Sequence, residues 1–222
     1  GNFEGVVFGR KRYCGRDYLD YAEHIARRAW SKDAKEKDKD FMWYLWCGRK
    51  SPLSGRNIKT FERTYVKDET TWHEESNPYY RFYEEEKVCN MILHEFGLYS
   101  ERSHIINGHT PVRTSKGEHP VRANGRLMVI DGGFCKSYHK TTGIAGYTLI
   151  FNSHGMRIKA HQPFQSVFAA LTENKDIESK SELVETEKER LMVRDTDTGK
   201  KIKEDIEGLK MLLRAYREGD LE

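Results

Sequence analysis

The chain has 222 residues and a formal net charge of +3, with 38 Lys and Arg against 35 Asp and Glu. No run approaches the roughly 18–20 consecutive apolar residues of a membrane span, so an integral helical membrane protein is excluded. The near-balanced charge also argues against a dedicated nucleic-acid binder, which carries a strongly basic domain. Twelve Tyr, 10 Phe and 4 Trp supply enough apolar bulk for a core, so the chain reads as soluble and folded. Cys14, Cys47, Cys89 and Cys135 lie far apart without a CxxC pair, which points to reduced thiols in a cytoplasmic protein. No signal-peptide pattern is present.

In chain order, residues 3–8 read as a short strand. From Asp17, the spacing of Leu19, Ala22, Ile25, Ala26 and Ala29 predicts an amphipathic helix. The mixed-charge run from Lys32 to Asp40 reads as a solvated loop or helix end, and the aromatic run Phe41 to Trp46 as buried. Cys47 to Arg56, rich in Gly, Ser and Pro, reads as an ordered loop. Asn77-Pro78 predicts a helix start, with Asn as cap and Pro in the first turn, and Gly97 predicts its end.

Beyond Gly97 the pattern changes to strands separated by glycine turns, over 104–107, 126–130, 145–152 and 156–161. Ser153-His154-Gly155 joins the last two as a hairpin. A further strand is predicted over 187–194 and a turn over 195–199. A final helix carries Ile202, Ile206, Leu209, Leu213 and Tyr216 on one face. No internal repeat or low-complexity segment is visible.

Charge is unevenly shared. Residues 172–222 hold 11 basic and 15 acidic side chains, whereas residues 99–161 hold nine basic, three acidic and six of the nine histidines. A positive segment rich in His and Gly suits an anionic ligand, phosphate most naturally.

Two motifs there could carry chemistry. In Ile105-Ile106-Asn107-Gly108-His109-Thr110-Pro111 a strand ends, Gly relaxes the backbone, a His is presented and Pro stiffens the exit. This arrangement suits a metal-ligating imidazole, although an ordinary loop histidine fits the same residues. In residues 131–146 a strand runs into a loop with Gly132, Gly133, Gly143 and Gly146, two lysines, a tyrosine and hydroxyls. Backbone N–H groups freed by glycine, with Lys and Tyr donors, would receive a phosphate ester. A long hairpin with solvated lysines is the competing reading. Asp131 suits either a supporting carboxylate or a turn cap.

The stretch from Ile106 to Ser153, with GHTP at 108–111 and DGGFCKSYHKTTGIAGYTLI at 131–150, resembles the C-terminal part of class III fructose-1,6-bisphosphatases of Firmicutes. These belong to the calcineurin-like metallophosphoesterases. The resemblance extends back through FMWYLWCG, SPLSGR, TFER and NPYY, and forward through VETE and DTDTGK, so it covers essentially the whole chain. It implies an α+β fold: the C-terminal part of an αββα metallophosphoesterase β-sandwich. Residues 1–98 would be a mainly helical insertion, 99–161 part of the core, and 162–222 an αβ extension used in subunit contacts of a homo-oligomer.

For the complete enzyme, the resemblance implies hydrolysis of fructose 1,6-bisphosphate to fructose 6-phosphate and phosphate, in gluconeogenesis. Two manganese ions would activate the attacking hydroxide. His109 would be a metal ligand; Arg122, Lys136, Tyr138 and Lys140 would hold substrate; His139 would assist proton transfer to the leaving oxygen. The family's earlier Asp-x-His, GDxxDRG and GNHE motifs are not found here, and Phe3 in Gly1-Asn2-Phe3-Glu4 cannot ligate a metal. Arg49-Lys50 also departs from a Pro-Leu-like pair. The expectation is therefore a fragment, inert alone, whose partner is the missing N-terminal half. The alternative is a non-catalytic sugar-phosphate-binding or partner-dependent regulatory module.

Overall fold

A computed structural model describes residues 4–175 and 177–220, so Phe3 and its expected strand position lie outside the described residues. The chain divides into two units. One comprises Gly1–Ile106 with Val121–Met128, the other Asn107–Pro120 with Val129–Glu222. The fold is mixed, with helices and, among the described residues, three small sheets, as the α+β expectation requires.

The first unit opens on the hairpin β1 (Val6–Phe8) and β2 (Lys11–Tyr13), turned at Gly9 in the left-handed region. Helix α1 (Gly15–Trp30) follows, and α2 (Glu36–Cys47) packs against it. The predicted spacing holds in α1, where Ala22 and Ile25 are buried with Tyr18, although Leu19 is exposed. Ala22, Ile25, Phe41 and Leu45 form the core cluster, closed by Phe8, Tyr21, Ala26 and Tyr44.

Two expectations are corrected here. Phe41 and Leu45 are buried, but Met42, Trp43 and Trp46 are exposed, because a helix turns only positions three and four apart toward the core. The mixed-charge run is not wholly solvated either. Its Asp38 lies in the first turn of α2, with only 1% of its side chain exposed. Arg28 of α1 grips it with both arms, Nε to Oδ2 at 2.9 Å and Nη2 to Oδ1 at 2.5 Å, and Lys35 N–H adds a third donor at 3.1 Å. A buried carboxylate needs such compensation.

Helices α3 (Thr60–Tyr65), α4 (Tyr79–Phe82) and α5 (Glu86–Glu95) complete the helical run. The single helix expected from Asn77 to Gly97 is in fact two. Asn77 Oδ1 does accept Tyr79 N–H, at 3.0 Å, and Gly97 does take a left-handed φ of 75°. The backbone nevertheless becomes extended at Glu85. There Tyr83 and Glu84 turn their side chains to Arg122.

Three short strands then carry the chain between units: β3 (Ile105–Asn107), β4 (Val121–Arg122) and β5 (Leu127–Val129), in the order β3-β5-β4. Strand β4 is antiparallel to β5. Ile105 N–H bonds Arg126 O at 2.8 Å, and Ile130 N–H bonds Asn107 O at 2.8 Å. Partner numbers rise together along this pair, so β3 and β5 are parallel.

In the second unit the hairpin of β6 (Gly146–Asn152) and β7 (Gly155–His161) forms as the sequence predicts, preceded by a helical turn, α6 (His139–Thr142), that it did not. After α7 (Val167–Thr172), strand β8 (Ser179–Thr186) pairs with the free edge of β7. Strand β8 therefore lies before the predicted span 187–194, which instead forms turns tied back to the hairpin by Glu187 N–H to His154 O and Leu191 N–H to Ser153 O. The predicted turn at 195–199 is the start of α8 (Asp197–Glu218), because the Thr196 hydroxyl accepts Gly199 N–H and caps the helix. Among the described residues, no helix is long and apolar enough to cross a membrane.

The Arg28 pair holds the Asp38 carboxyl down to about 2, burial opposing it. The unfolded value is about 3.9, so this stabilisation is complete above that pH and is lost as pH falls toward the folded value. Denaturant midpoints of the wild type and Asp38→Asn should therefore differ near neutral pH and converge on acidification. A constant gap would show that the ionised carboxylate is not the stabilising species.

Candidate functional site

Parallel pairing makes β3 and β5 end on the same edge, so the segments that follow them emerge side by side. Outside the carboxyl ends of parallel strands is where open α/β sheets place ligands. Both segments belong to the second unit.

The segment after β3 is a γ-turn centred on His109. Thr110 N–H bonds Gly108 O at 2.8 Å, and His109 takes a φ of 68°. A positive φ at a non-glycine residue costs on the order of 1–3 kcal/mol and persists only where neighbours enforce it. Here the enforcement comes from Val112, fully buried, whose N–H bonds Asp131 O at 2.7 Å. The imidazole is left exposed at the tip.

The segment after β5 is neither an open phosphate cradle nor a simple hairpin. Asp131 Oδ1 accepts Gly133 N–H at 2.8 Å, which makes Asp131 a turn cap. Gly143 N–H closes the α6 turn on His139 O. The Gly133 and Gly143 amides that the sequence offered to phosphate are thus spent internally. The glycines serve close packing instead: a Cβ on Gly132 would lie 2.6 Å from Gly146 Cα, and one on Gly146 would lie 2.3 Å from the Phe134 ring.

Thr114 and Ser115, which belong to neither sequence motif, lock the two segments together. Thr114 Oγ1 donates to Thr142 O, and Ser115 Oγ to Thr141 O at 2.5 Å. Thr142, fully buried, turns its own hydroxyl to Tyr138 O and Ile144 O. The available signal was the hydroxyl-rich composition of both segments, but nothing in it specified pairing across 26 or 28 positions.

On this frame Lys136, Tyr138 and Lys140 are exposed within one loop. His139 is half-buried, with Nε2 3.2 Å from Phe134 O. A carbonyl only accepts, so in the neutral ring this nitrogen carries the hydrogen. Between them, Cys135 Sγ stands 3.1 Å from Ser137 Oγ, and that contact pulls the thiol below its ordinary value. Five of the six predicted site residues, His109 included, therefore share two braced segments.

Arg122 belongs to the first unit. Its guanidinium bonds Tyr83 Oη and Glu84 Oε1, the latter at 2.7 Å, and lies 4.8 Å from the Tyr83 ring centre. Its side chain is 8% exposed, so this basic group is largely committed to neighbours. Among the described residues, no group of three or more His, Cys, Asp or Glu is placed to hold a metal ion.

If glycine at 132 is needed for backbone approach, Gly132→Ala should lower stability by about 1–3 kcal/mol, the usual cost of overpacking. Urea denaturation would register it as an earlier midpoint. An unchanged midpoint would mean that the loop relaxes freely.

The geometry can be set beside known proteins. The chain is 48% identical over 224 residues to fructose-1,6-bisphosphatase class 3 of Clostridium botulinum strain Langeland, covering 99% of this chain and 34% of that protein. It is 49% identical over 223 residues to a fructose-1,6-bisphosphatase class 3 of Clostridium beijerinckii, with the same coverage. The chain thus spans about a third of the length of the curated relatives it matches. No solved structure matches it. The model of the Firmicute fructose-1,6-bisphosphatase family matches residues 1–218, which include both braced segments, and the chain belongs to that family.

Proposed function

We propose that this chain works as part of a fructose-1,6-bisphosphatase, supplying the loops that receive the phosphate ester. The observation that carries this reading is the juxtaposition of the strained His109 turn and the Lys136–Lys140 loop at the carboxyl ends of two adjacent parallel strands. Ammonium groups at Lys136 and Lys140 and the Tyr138 hydroxyl are charged and neutral donors of the type that phosphate oxygens accept. They stand on a loop whose Gly133, Tyr138, His139 and Gly143 amides are already bonded within it, so binding would cost less further ordering. His139, whose Nε2–H is held by Phe134 O, is the proposed proton donor to the leaving oxygen through Nδ1 of its protonated ring.

Manganese enters the proposal only through His109. When bound it would supply Lewis-acid activation of water. One imidazole does not make a metal site, and the described residues assemble no larger donor set, so no step is drawn through a metal. The parallel pair ending at His109 is compatible with the αββα metallophosphoesterase core, which forms part of the same proposal. So do gluconeogenesis and a cytoplasmic setting, where the four free cysteines would stay reduced.

The test replaces the matching third of the Clostridium botulinum relative with this chain and assays fructose 1,6-bisphosphate hydrolysis. Lys136→Ala in that chimera should raise KM about tenfold or more, as loss of a charge-assisted hydrogen bond does. His109→Ala should lower kcat by at least about a hundredfold. An active chimera indifferent to both substitutions would remove these loops from the site.

A further inference from the structure

Helix α8 is apolar in a pattern that its own unit does not use. Gly199 seats its first turn, since a Cβ there would meet Val193 O at 1.8 Å. From Lys200 to Glu218 every residue except Ala215 is exposed. The exposed residues include Ile202, Ile206, Leu209, Leu213 and Tyr216, which are 45% to 67% exposed. Their spacing is four, three, four, three, which is the a/d seam of a heptad repeat, and Leu212, 55% exposed, widens the apolar face on one side of it.

The charges flanking the seam choose the occupant. With Ile206 and Leu213 at a, and Ile202, Leu209 and Tyr216 at d, the e positions are Lys203, Lys210 and Arg217. The g positions are Asp205, Leu212 and Gly219. An antiparallel partner of the same sequence would set e against e and oppose basic residues along the whole seam. In a parallel pair each g residue faces the e residue five positions on in its partner. Asp205 then meets Lys210 twice by symmetry, and Leu212 lies under the stem of Arg217. Lys210 is free to exchange partners, because its present ion pair with Glu207, at 2.9 Å, is on the surface and worth little. Ile at a and Leu at d in the central heptad are the combination that favours two strands.

We propose that α8 pairs through this seam with α8 of a second copy of the chain, as a parallel two-stranded coiled coil. The helix is about 33 Å long and its seam from Ile202 to Tyr216 spans about two heptads, so the contact is short and reversible.

The experiment is sedimentation of the full chain across a concentration series. A monomer–dimer equilibrium is expected, and Leu209→Glu should abolish it while the helical circular dichroism of the monomer remains. Lys210→Asp should weaken the dimer several-fold by opposing two carboxylates, and Asp205→Lys combined with Lys210→Asp should restore it. Orientation is read by mild oxidation of Ile202→Cys and Tyr216→Cys, each made with Cys14, Cys47 and Cys135 replaced by Ser. A parallel seam cross-links each variant to itself. A chain that stays monomeric throughout, an equilibrium indifferent to the charge swap, or disulfides formed only between the two variants when mixed, would overturn the proposal.

Discussion

The parallel pairing of β3 and β5 is the constraint on which the candidate site depends. Its hydrogen bonds, Ile105 N–H to Arg126 O and Ile130 N–H to Asn107 O, join strands of only three residues. Their direction decides that Gly108 and Asp131 leave from one edge. An antiparallel pair would have sent the His109 turn and the lysine loop to opposite ends. Strand β5, buried along its whole length, shows the continuous apolar character of a strand covered on both faces.

Everything at the carboxyl edge then follows from satisfying backbone groups. Turns with few partners cannot stay ordered, and here the partners come from short polar side chains. Asp131 caps Gly133, Thr114 and Ser115 take carbonyls of the α6 turn, and buried Thr142 closes the remainder. This network sets Lys136, Tyr138 and Lys140 outward on a defined loop, while the Val112 N–H to Asp131 O bond holds His109 in an unfavourable backbone region. The glycines are part of the same bargain with space, because Gly132 and Gly146 let two backbones touch where side chains would collide.

The rest of the molecule applies the same rule to charge. A run dense in both signs looks solvated, yet one member, Asp38, is buried because Arg28 stands one helix away with matching two-armed geometry. Arg122, largely buried, is engaged differently, with Nη1 alone shared between Glu84 and Tyr83. Helix α8, in contrast, keeps its charges on the surface beside an uncovered apolar seam.

The sequence by itself determined what is local. The α1 periodicity, the Asn77 cap, the β6–β7 hairpin and the apolar face of α8 depend on neighbours within a few residues, and the order of apolar, glycine and cap residues specified them. Family membership was likewise legible in the 131–150 stretch, whose residues stand in a fixed order. Tertiary structure alone decided which turns meet. It broke the 77–97 helix at Glu85, moved the last strand back to 179–186 at the β7 edge, and turned Trp43 and Trp46 outward. It also converted the glycine loop from a presumed row of free amides into a packed, braced turn. The helix break and the braced loop rest on partners 26 to 38 positions away and the last strand on an adjoining strand edge, and no local pattern encodes the identity of a distant partner.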